Sequence, residues 1–243
     1  MKKLYVAGIG PGDEKSMTFA CKDAIERSDV IVGYSKYVEL IKPIFPDKRT
    51  LATEMKKEAE RCRLALNLAA KGETVAVICS GDAGVYGMAG LIYELSAEYP
   101  PVEIEIIPGV TAALAGASVL GAPLTHDFAV VSLSDLLTPW ELIEKRLFCA
   151  ARADFCIAVY NPSSKKRGDY LQKACDVLLK AKPPDTVCGY VRNIGREGQH
   201  AEIMTLSELR SAQVDMFTTV FIGNSQTKLS GDKMVTPRGY KLN

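Results

Sequence analysis

Apolar and polar residues follow two different periods along this chain, and segments of the two kinds alternate. Nearly unbroken apolar runs such as LYVAGI and TVAVICSGD predict buried β-strands. Between such runs lie segments with apolar residues at helical spacing, such as SMTFACKDAIERS. This alternation is typical of an open parallel sheet that is covered by helices on both faces.

The N-terminal half follows this order closely. Strands are predicted at LYVAGI, DVIVGY, TVAVICSGD and VEIEIIPG, and helices at SMTFACKDAIERS, 54–71, 85–98 and VTAALAGASVLG. The segment LGAPLTHD, at 120–127, then combines Gly, Pro and polar residues and is the predicted linker.

A second series of elements follows the linker. Strands are predicted at FAVVSLS, DFCIAVY, TVCGYVRN, AEIMTLSEL and FTTVFIG, and helices at PWELIEKRLFCAA and RGDYLQKACDVLLKA. The last strands follow one another without full helices between them, which indicates a mixed sheet with antiparallel members. The tail after Asn224 is polar and predicted to be irregular. We therefore predict an α/β fold of two α/β domains, 1–121 and 122–243.

Composition narrows the class of protein. The chain has 243 residues, 47% of them hydrophobic, and a net charge of +1, as expected of a globular protein without the positive field that nucleic-acid binding usually needs. The N-terminus resembles a signal peptide for only a few residues, and no stretch approaches the roughly 18 apolar residues of a membrane span. We expect a cytoplasmic protein with neither nucleic acid nor membrane as a partner.

Cysteine and histidine usage argues against a metal centre. The seven cysteines are scattered, never spaced as C-x-x-C, and most lie in apolar segments, so we predict buried structural thiols. The two histidines cannot form a structural zinc site by themselves. We expect no metal site, and chemistry that depends on an organic cofactor or on the substrate itself.

The glycine-rich stretch GIGPGD follows the first predicted strand. Gly8, Gly10 and Gly12 precede Asp13, so the stretch lacks the third glycine of the dinucleotide fingerprint G-x-G-x-x-G, and Pro11 removes a backbone donor. A P-loop is excluded because G-x-x-x-x-G-K-[ST] does not occur.

Three further loops follow a predicted strand and lead into a predicted helix. They are CSGDAGVYGMAG (79–90), IPGVTAALAG (107–116) and YNPSSKKRG (160–168). Ligands in open α/β sheets bind at the carboxyl ends of strands, so these loops and GIGPGD are expected to line one crevice.

Three of these stretches, GIGPGD, SGDAGVYGMAG and PGVTA, resemble the signature loops of the tetrapyrrole methylases. The resemblance covers essentially the whole chain, and it implies a homodimer that binds S-adenosylmethionine between two α/β domains. The stretches SLSDLLTPWELIEKRL, AVYNPSSKKR and VRNIGREGQ resemble the branch that methylates carbon 17 of the corrin precursor precorrin-3B, or its cobalt counterpart, and contracts the macrocycle.

The resemblance also implies a set of cofactor-binding residues. They are Pro11, Ser80, Gly81, Asp82, Val85, Thr111, Ala112, Tyr160, Asn193 and Ile194. Many relatives have Pro after the Gly-Asp pair, where this chain has Ala83. Asp82 either orients the cofactor or caps the helix that follows it.

The implied substrate is a flat macrocycle with many carboxylates, so polar and basic groups after strand ends are candidate contacts. They are Trp140, Asn161, Ser163, Arg167, Arg192 and Arg196, with Lys165 and Lys166 beside them. A solvated basic surface, and a Trp140 that fixes its helix to the core, are the alternatives. Ring contraction calls for an acid or a base, and the candidates are Asp135, His126 and Tyr160.

Other functions remain open from the sequence. Within the same family, the alternatives are methyltransferases that act on another corrin carbon, on ribosomal RNA or on a protein. From different classes, a nicotinamide-dependent oxidoreductase and a non-catalytic tetrapyrrole carrier are the alternatives.

Overall fold

The computed structural model describes residues 3–164 and 167–241. The chain divides into two compact units, the first ending at Ala112 and the second beginning at Ala113. Each unit has its own five-stranded sheet and its own buried core. The ranges 1–121 and 122–243 stay a prediction of the domain organisation.

The first unit alternates strands and helices along its whole length. Its elements are β1 (Lys3–Gly8), α1 (Phe19–Glu26), β2 (Val30–Tyr34), α2 (Ser35–Ile41), β3 (Arg49–Thr53), α3 (Glu58–Ala70), β4 (Thr74–Cys79), α4 (Ala89–Ser96) and β5 (Glu103–Ile107). A short 3₁₀ helix, Glu14–Ser16, precedes α1.

The sheet of the first unit is parallel throughout, in the order β3-β2-β4-β1-β5. Alternate residues of its central strands belong to two different cores. Leu4 and Val6 pack with residues of α3 and α4, whereas Tyr5 and Ala7 pack with residues of α1 and α2. Both faces are therefore buried, which explains why these strands appear in the sequence as unbroken apolar runs.

The second unit begins with a helix and contains a mixed sheet. Its elements are α5 (Ala112–Leu120), β6 (Gly121–Ala122), β7 (Phe128–Ser132), α6 (Trp140–Arg152), β8 (Cys156–Tyr160), α7 (Tyr170–Leu178), β9 (Val187–Arg192), β10 (His200–Thr205), α8 (Leu206–Leu209), β11 (Thr218–Ile222), β12 (Lys228–Ser230) and β13 (Lys233–Val235).

The larger sheet of the second unit has the order β10-β9-β11-β8-β7. The β7–β8 pair is parallel and the other pairs are antiparallel, so the predicted mixed sheet is confirmed. Residues of α6, α7 and α8 form a core with one face of this sheet. On the other face Gly116 of α5 lies against the ring of Phe221.

The predicted α/β fold class is confirmed, but several local predictions are wrong. The helix predicted over 54–71 begins only at Glu58, and the helix predicted over 85–98 begins only at Ala89. In the predicted strand AEIMTLSEL the last four residues form α8, because Thr205 and Glu208 make a capping box that starts a helix. The tail predicted to be irregular forms the hairpin β12–β13, and β13 pairs with β6.

Six of the seven cysteines are buried, whereas Cys149 of α6 is exposed. Burial in apolar surroundings raises the pKa of Cys21, Cys62 and Cys175 to about 12 and that of Cys79 to about 11. These thiols therefore stay protonated and unreactive at neutral pH. Within the described residues, no helix is both long and apolar enough to cross a membrane.

We expect a colorimetric disulfide reagent at pH 8 to titrate one thiol rapidly in the native protein and all seven after denaturation. The variant Cys149→Ser should lose the rapid phase, because that phase comes from the exposed thiol. Cys62→Ser is the matched control and should keep it. A rapid phase of two or more thiols in the wild type would contradict the burial of the others.

Candidate functional site

Three loops leave neighbouring strands at the carboxyl edge of the first unit's sheet. The strands β4, β1 and β5 lie side by side and are parallel, so the segments 80–88, 9–13 and 108–111 emerge at the same edge. This is the edge at which open α/β sheets bind ligands. The structure thus brings together the three glycine-rich loops that the sequence singled out within this unit.

The first two loops are joined by a pair of backbone hydrogen bonds. The N–H of Gly10 donates to the carbonyl of Gly81 over 3.1 Å, and the N–H of Gly81 donates to the carbonyl of Gly10 over 2.7 Å. Both residues have a positive φ, 77° and 69°, which glycine adopts without strain. The glycine spacing of GIGPGD differs from that of the dinucleotide fingerprint, and it allows this loop to cross the second loop at Gly81.

The third loop passes even closer to the other two. A Cβ on Gly109 would lie 2.2 Å from the carbonyl oxygen of Gly81 and 2.5 Å from that of Gly8. A Cβ on Gly8 would lie 2.6 Å from the same oxygen of Gly81. No other residue fits at these two positions, because backbone contacts backbone directly.

The carboxylate of Asp82 connects the second loop with the third. Its Oδ1 accepts hydrogen bonds from the N–H groups of Gly84 and Val85, and its Oδ2 accepts one from the N–H of Gly109 over 2.9 Å. Asp82 therefore fixes the loop geometry. The role in cofactor binding that the resemblance implies stays a prediction.

The other predicted cofactor residues of this unit lie on the same loops. Pro11 is buried directly after Gly10, and Ser80 stands half-buried between β4 and Gly81. Val85 is half-buried in the second loop. Thr111 and Ala112 are half-buried where the third loop enters α5.

A buried arginine supports this edge, and the sequence analysis missed it. Arg61 of α3 is 3% exposed; it donates to Thr53 Oγ1 and to the carbonyl of Glu54, and its Nη1 lies 3.4 Å from Met88 Sδ. Its hydrogen bonds therefore join the end of β3 to the loop that follows β4. An arginine in the middle of an amphipathic helix gave no signal for such a role.

In the second unit, Tyr160 at the end of β8 contacts α5, and Asn161 directly after it contacts the end of β7. The hydroxyl of Tyr160 accepts a hydrogen bond from the N–H of Ala113 in the first turn of α5, over 2.8 Å. Asn161 has a φ of 53° and donates from Nδ2 to Ser132 Oγ over 3.0 Å. Ser163 is buried, while Lys165 and Lys166 lie outside the described residues.

Asp135 lies in a cluster with three residues of the second unit. Tyr170 donates its hydroxyl to Asp135 Oδ2 over 2.6 Å, and this hydrogen bond raises the pKa of Tyr170. Arg167 Nε lies 3.9 Å from Asp135 Oδ1, and the rings of Trp140 and Tyr170 have centroids 4.7 Å apart. The structure thus assembles Asp135, Trp140 and Arg167, and adds Tyr170, which the sequence analysis missed.

The remaining predicted residues of the second unit have local backbone contacts of their own. Asn193 has a φ of 51° and donates its N–H to the carbonyl of Phe217, while Ile194 is buried. Arg192 is exposed at the end of β9, and the N–H of Arg196 donates to the carbonyl of Asn193. His126 is exposed, and its Nδ1 accepts from the N–H of Asp127 over 2.9 Å.

We expect Asp82→Ala to lower the free energy of unfolding by about 2 kcal/mol, because three backbone N–H groups lose their acceptor. Chemical denaturation measures this change. Affinity for S-adenosylhomocysteine, measured by calorimetry, should fall as well, because the loops lose their mutual geometry. Asp82→Asn keeps an acceptor oxygen and should lie between the wild type and Asp82→Ala.

The matched control is Asp13→Ala. Within the part of the chain that the structure describes, the Asp13 carboxylate accepts one hydrogen bond, from the N–H of Ser16 in the short 3₁₀ helix. Its loss should therefore cost about 1 kcal/mol. Unchanged affinity for S-adenosylhomocysteine in Asp82→Ala would remove Asp82 from the binding site.

Comparison with known protein families supports the resemblance seen in the sequence. Residues 3–210 match the family model of the tetrapyrrole (corrin/porphyrin) methylases. The chain is 47% identical over 240 residues to the probable cobalt-factor III C(17)-methyltransferase of Salmonella typhimurium, covering 98% of this chain and 100% of that protein. It is 39% identical to the precorrin-3B C(17)-methyltransferase of a Sinorhizobium species, covering 98% and 96%.

Some relatives are longer than this chain. It spans only 53% of a cobalamin biosynthesis protein from Archaeoglobus fulgidus and 45% of the cobalt-factor III methyltransferase of Priestia megaterium.

Solved structures agree with the family model. The crystal structure of the methyltransferase CobJ superposes with a TM-score of 0.90 at 38% identity, covering 97% of this chain and 99% of that one. The uroporphyrin-III C-methyl transferase of Thermus thermophilus, solved with S-adenosyl homocysteine, shares the fold at a TM-score of 0.70 and 21% identity, covering 91% and 97%. This chain belongs to the tetrapyrrole (corrin/porphyrin) methylase family.

Proposed function

We propose that this chain transfers a methyl group from S-adenosylmethionine to carbon 17 of cobalt-factor III and takes part in the contraction of its macrocycle. The observation that carries the proposal is the 47% identity to the probable cobalt-factor III C(17)-methyltransferase of Salmonella typhimurium, over 98% of this chain and 100% of that protein. Identity to the relative named for precorrin-3B is lower, at 39%, which favours the cobalt-containing substrate.

The three crossing loops fit S-adenosylmethionine better than a dinucleotide. Gly84 and Gly87 are exposed and leave backbone at the edge of the sheet uncovered by side chains. A ligand without phosphate groups needs no cradle of backbone donors, which explains why Pro11 is tolerated. When it is bound, S-adenosylmethionine supplies a methyl group on a sulfonium, whose leaving group departs uncharged.

The chain's own contribution to such a transfer is alignment. We assign cofactor binding to residues on the glycine loops and on the loops after β8 and β9. They are Pro11, Ser80, Gly81, Asp82, Val85, Thr111, Ala112, Tyr160, Asn193 and Ile194. The rigid loop crossing in the first unit supports this assignment, because it holds the edge in one geometry before any ligand arrives.

We assign substrate binding to one aromatic residue and to several polar and basic residues of the second unit. They are Trp140, Asn161, Ser163, Arg167, Arg192 and Arg196. Arg167 and Trp140 support this assignment most directly, because both lie at the Asp135 cluster. An arginine guanidinium suits the carboxylate arms of a tetrapyrrole, and an aromatic ring suits its flat face.

Asp135 is the best supported of the three acid/base candidates. Its carboxylate accepts a hydrogen bond from Tyr170 and lies 3.9 Å from Arg167 Nε, so it belongs to the cluster that contains two residues assigned to the substrate, Arg167 and Trp140. The Tyr160 hydroxyl, in contrast, accepts a hydrogen bond at α5, and His126 is engaged with its own neighbour.

We further propose a cytoplasmic homodimer with domains 1–121 and 122–243.

The direct test incubates the protein with cobalt-factor III and ¹³C-methyl S-adenosylmethionine. We expect one labelled methyl group, located at carbon 17 by NMR, and a slower reaction with the metal-free precorrin-3B. A label at another ring carbon would identify a different C-methyltransferase of the family. A tetrapyrrole complex without transfer would indicate a carrier, and binding of a nicotinamide cofactor instead of S-adenosylhomocysteine would indicate an oxidoreductase.

Two variants separate the acid/base candidates in the same assay. Asp135→Asn should lower kcat about a hundredfold, a typical loss for a general acid or base, with affinity for S-adenosylhomocysteine unchanged. His126→Gln should keep kcat within about a factor of two. If His126→Gln loses activity and Asp135→Asn keeps it, the assignment is reversed.

A further inference from the structure

Tyr86 adopts a backbone conformation that bulky residues rarely take. It lies in the second glycine loop with a φ of 54°, in the left-handed region where a Cβ crowds the following carbonyl. Glycine would stand there without strain, and Gly84 and Gly87 are close by in the same loop. A strained residue persists where the surrounding structure fixes it, and such residues concentrate at functional sites.

The loop around Tyr86 is held on both sides. Before it, Asp82 Oδ1 accepts from the N–H groups of Gly84 and Val85. After it, the N–H of Met88 donates to Cys79 Sγ over 3.5 Å, and the N–H of Ala89 donates to the carbonyl of Ala83 over 3.1 Å. Tyr86 therefore has little freedom to relax into an unstrained conformation.

The strained backbone of Tyr86 is not accompanied by burial of its side chain, because the residue is 57% exposed. Burial of an aromatic ring is the usual compensation for such a cost in a folded core, and it is largely missing here. The loop thus fixes the backbone position of a half-exposed aromatic residue at the carboxyl edge of the sheet.

A second exposed apolar side chain lies in the loop after β3, which Arg61 connects to the loop after β4. The Arg61 guanidinium donates to the carbonyl of Glu54 and contacts Met88 Sδ, so it joins the loop after β3 to the loop that contains Tyr86. Met55, next to Glu54, is 43% exposed. The segment 79–90 contains a single charged residue, Asp82, whose oxygens accept from backbone N–H groups.

We propose that Tyr86 binds the substrate by supporting one flat face of the tetrapyrrole macrocycle. The proposal rests on the proposed function, which supplies the tetrapyrrole, and adds a residue that neither the sequence motifs nor the relatives' names assign to the substrate. An uncharged aromatic ring suits the apolar, flat face of the macrocycle.

The test uses the full chain and two variants of Tyr86. Tyr86→Phe keeps the ring, and Tyr86→Asn removes it with a residue that tolerates a positive φ. Binding of cobalt-factor III is followed by its visible absorption without cofactor, binding of S-adenosylhomocysteine by calorimetry, and folding by Tm.

We expect Tyr86→Asn to bind cobalt-factor III about tenfold more weakly, with an unchanged or higher Tm and unchanged affinity for S-adenosylhomocysteine. Tyr86→Phe should bind cobalt-factor III within about twofold of the wild type, because the ring is retained. Wild-type affinity for cobalt-factor III in Tyr86→Asn would overturn the proposal. A matching loss of affinity for S-adenosylhomocysteine, or a lowered Tm in Tyr86→Asn, would also overturn it, because the ring would then serve the cofactor or the fold.

The binding titration also separates this proposal from the proposed function. A wild type that binds cobalt-factor III but transfers no methyl group would contradict the methyltransferase activity alone, and the Tyr86 variants would still decide the role of the ring. A wild type that does not bind cobalt-factor III would overturn both.

Discussion

The candidate site depends on backbone passing backbone without any side chain between. Gly8, Gly81 and Gly109 meet where three neighbouring parallel strands end, at distances that leave no room for a Cβ on Gly8 or Gly109. Asp82 completes this arrangement, because its carboxylate accepts N–H groups from two of the three loops. The geometry of the three loops depends on this crossing. The resulting edge is rigid and lined mainly by backbone, as the alignment of a cofactor requires.

Much of the fold was predictable because both faces of the first sheet are buried. Because both of their faces are buried, strands such as β1 and β4 consist of unbroken apolar runs. Such short runs are typical of a parallel sheet that is covered on both faces. The strand β3 was missed for the opposite reason: it lies at the edge of the sheet, none of its residues is buried, and its sequence, RTLAT, contains polar residues. α8 was predicted as strand because MTLSEL continues an apolar alternation, and the capping box of Thr205 and Glu208 overrides that pattern.

Only the parts of the candidate site that are formed by residues adjacent in sequence were predictable. The glycine loops stand out because each follows a strand directly, and the structure brings three of them to one edge. Partners distant in sequence gave no signal. Tyr170 meets Asp135 across 35 positions, and Arg61 meets Met88 across 27. Their side chains are ordinary for the helices in which they lie, so only the packing of those helices shows what they do.

The strand order of the first unit also has a consequence for the time at which the candidate site forms. β1 is made first, yet its neighbours in the sheet are β4 and β5, the last strands of the unit. During synthesis on the ribosome, GIGPGD therefore waits for Gly81 before its backbone pair can form, and for Gly109 before all three loops can meet. The contacts that hold the three loops together are long-range ones, and they form late in the folding of this unit.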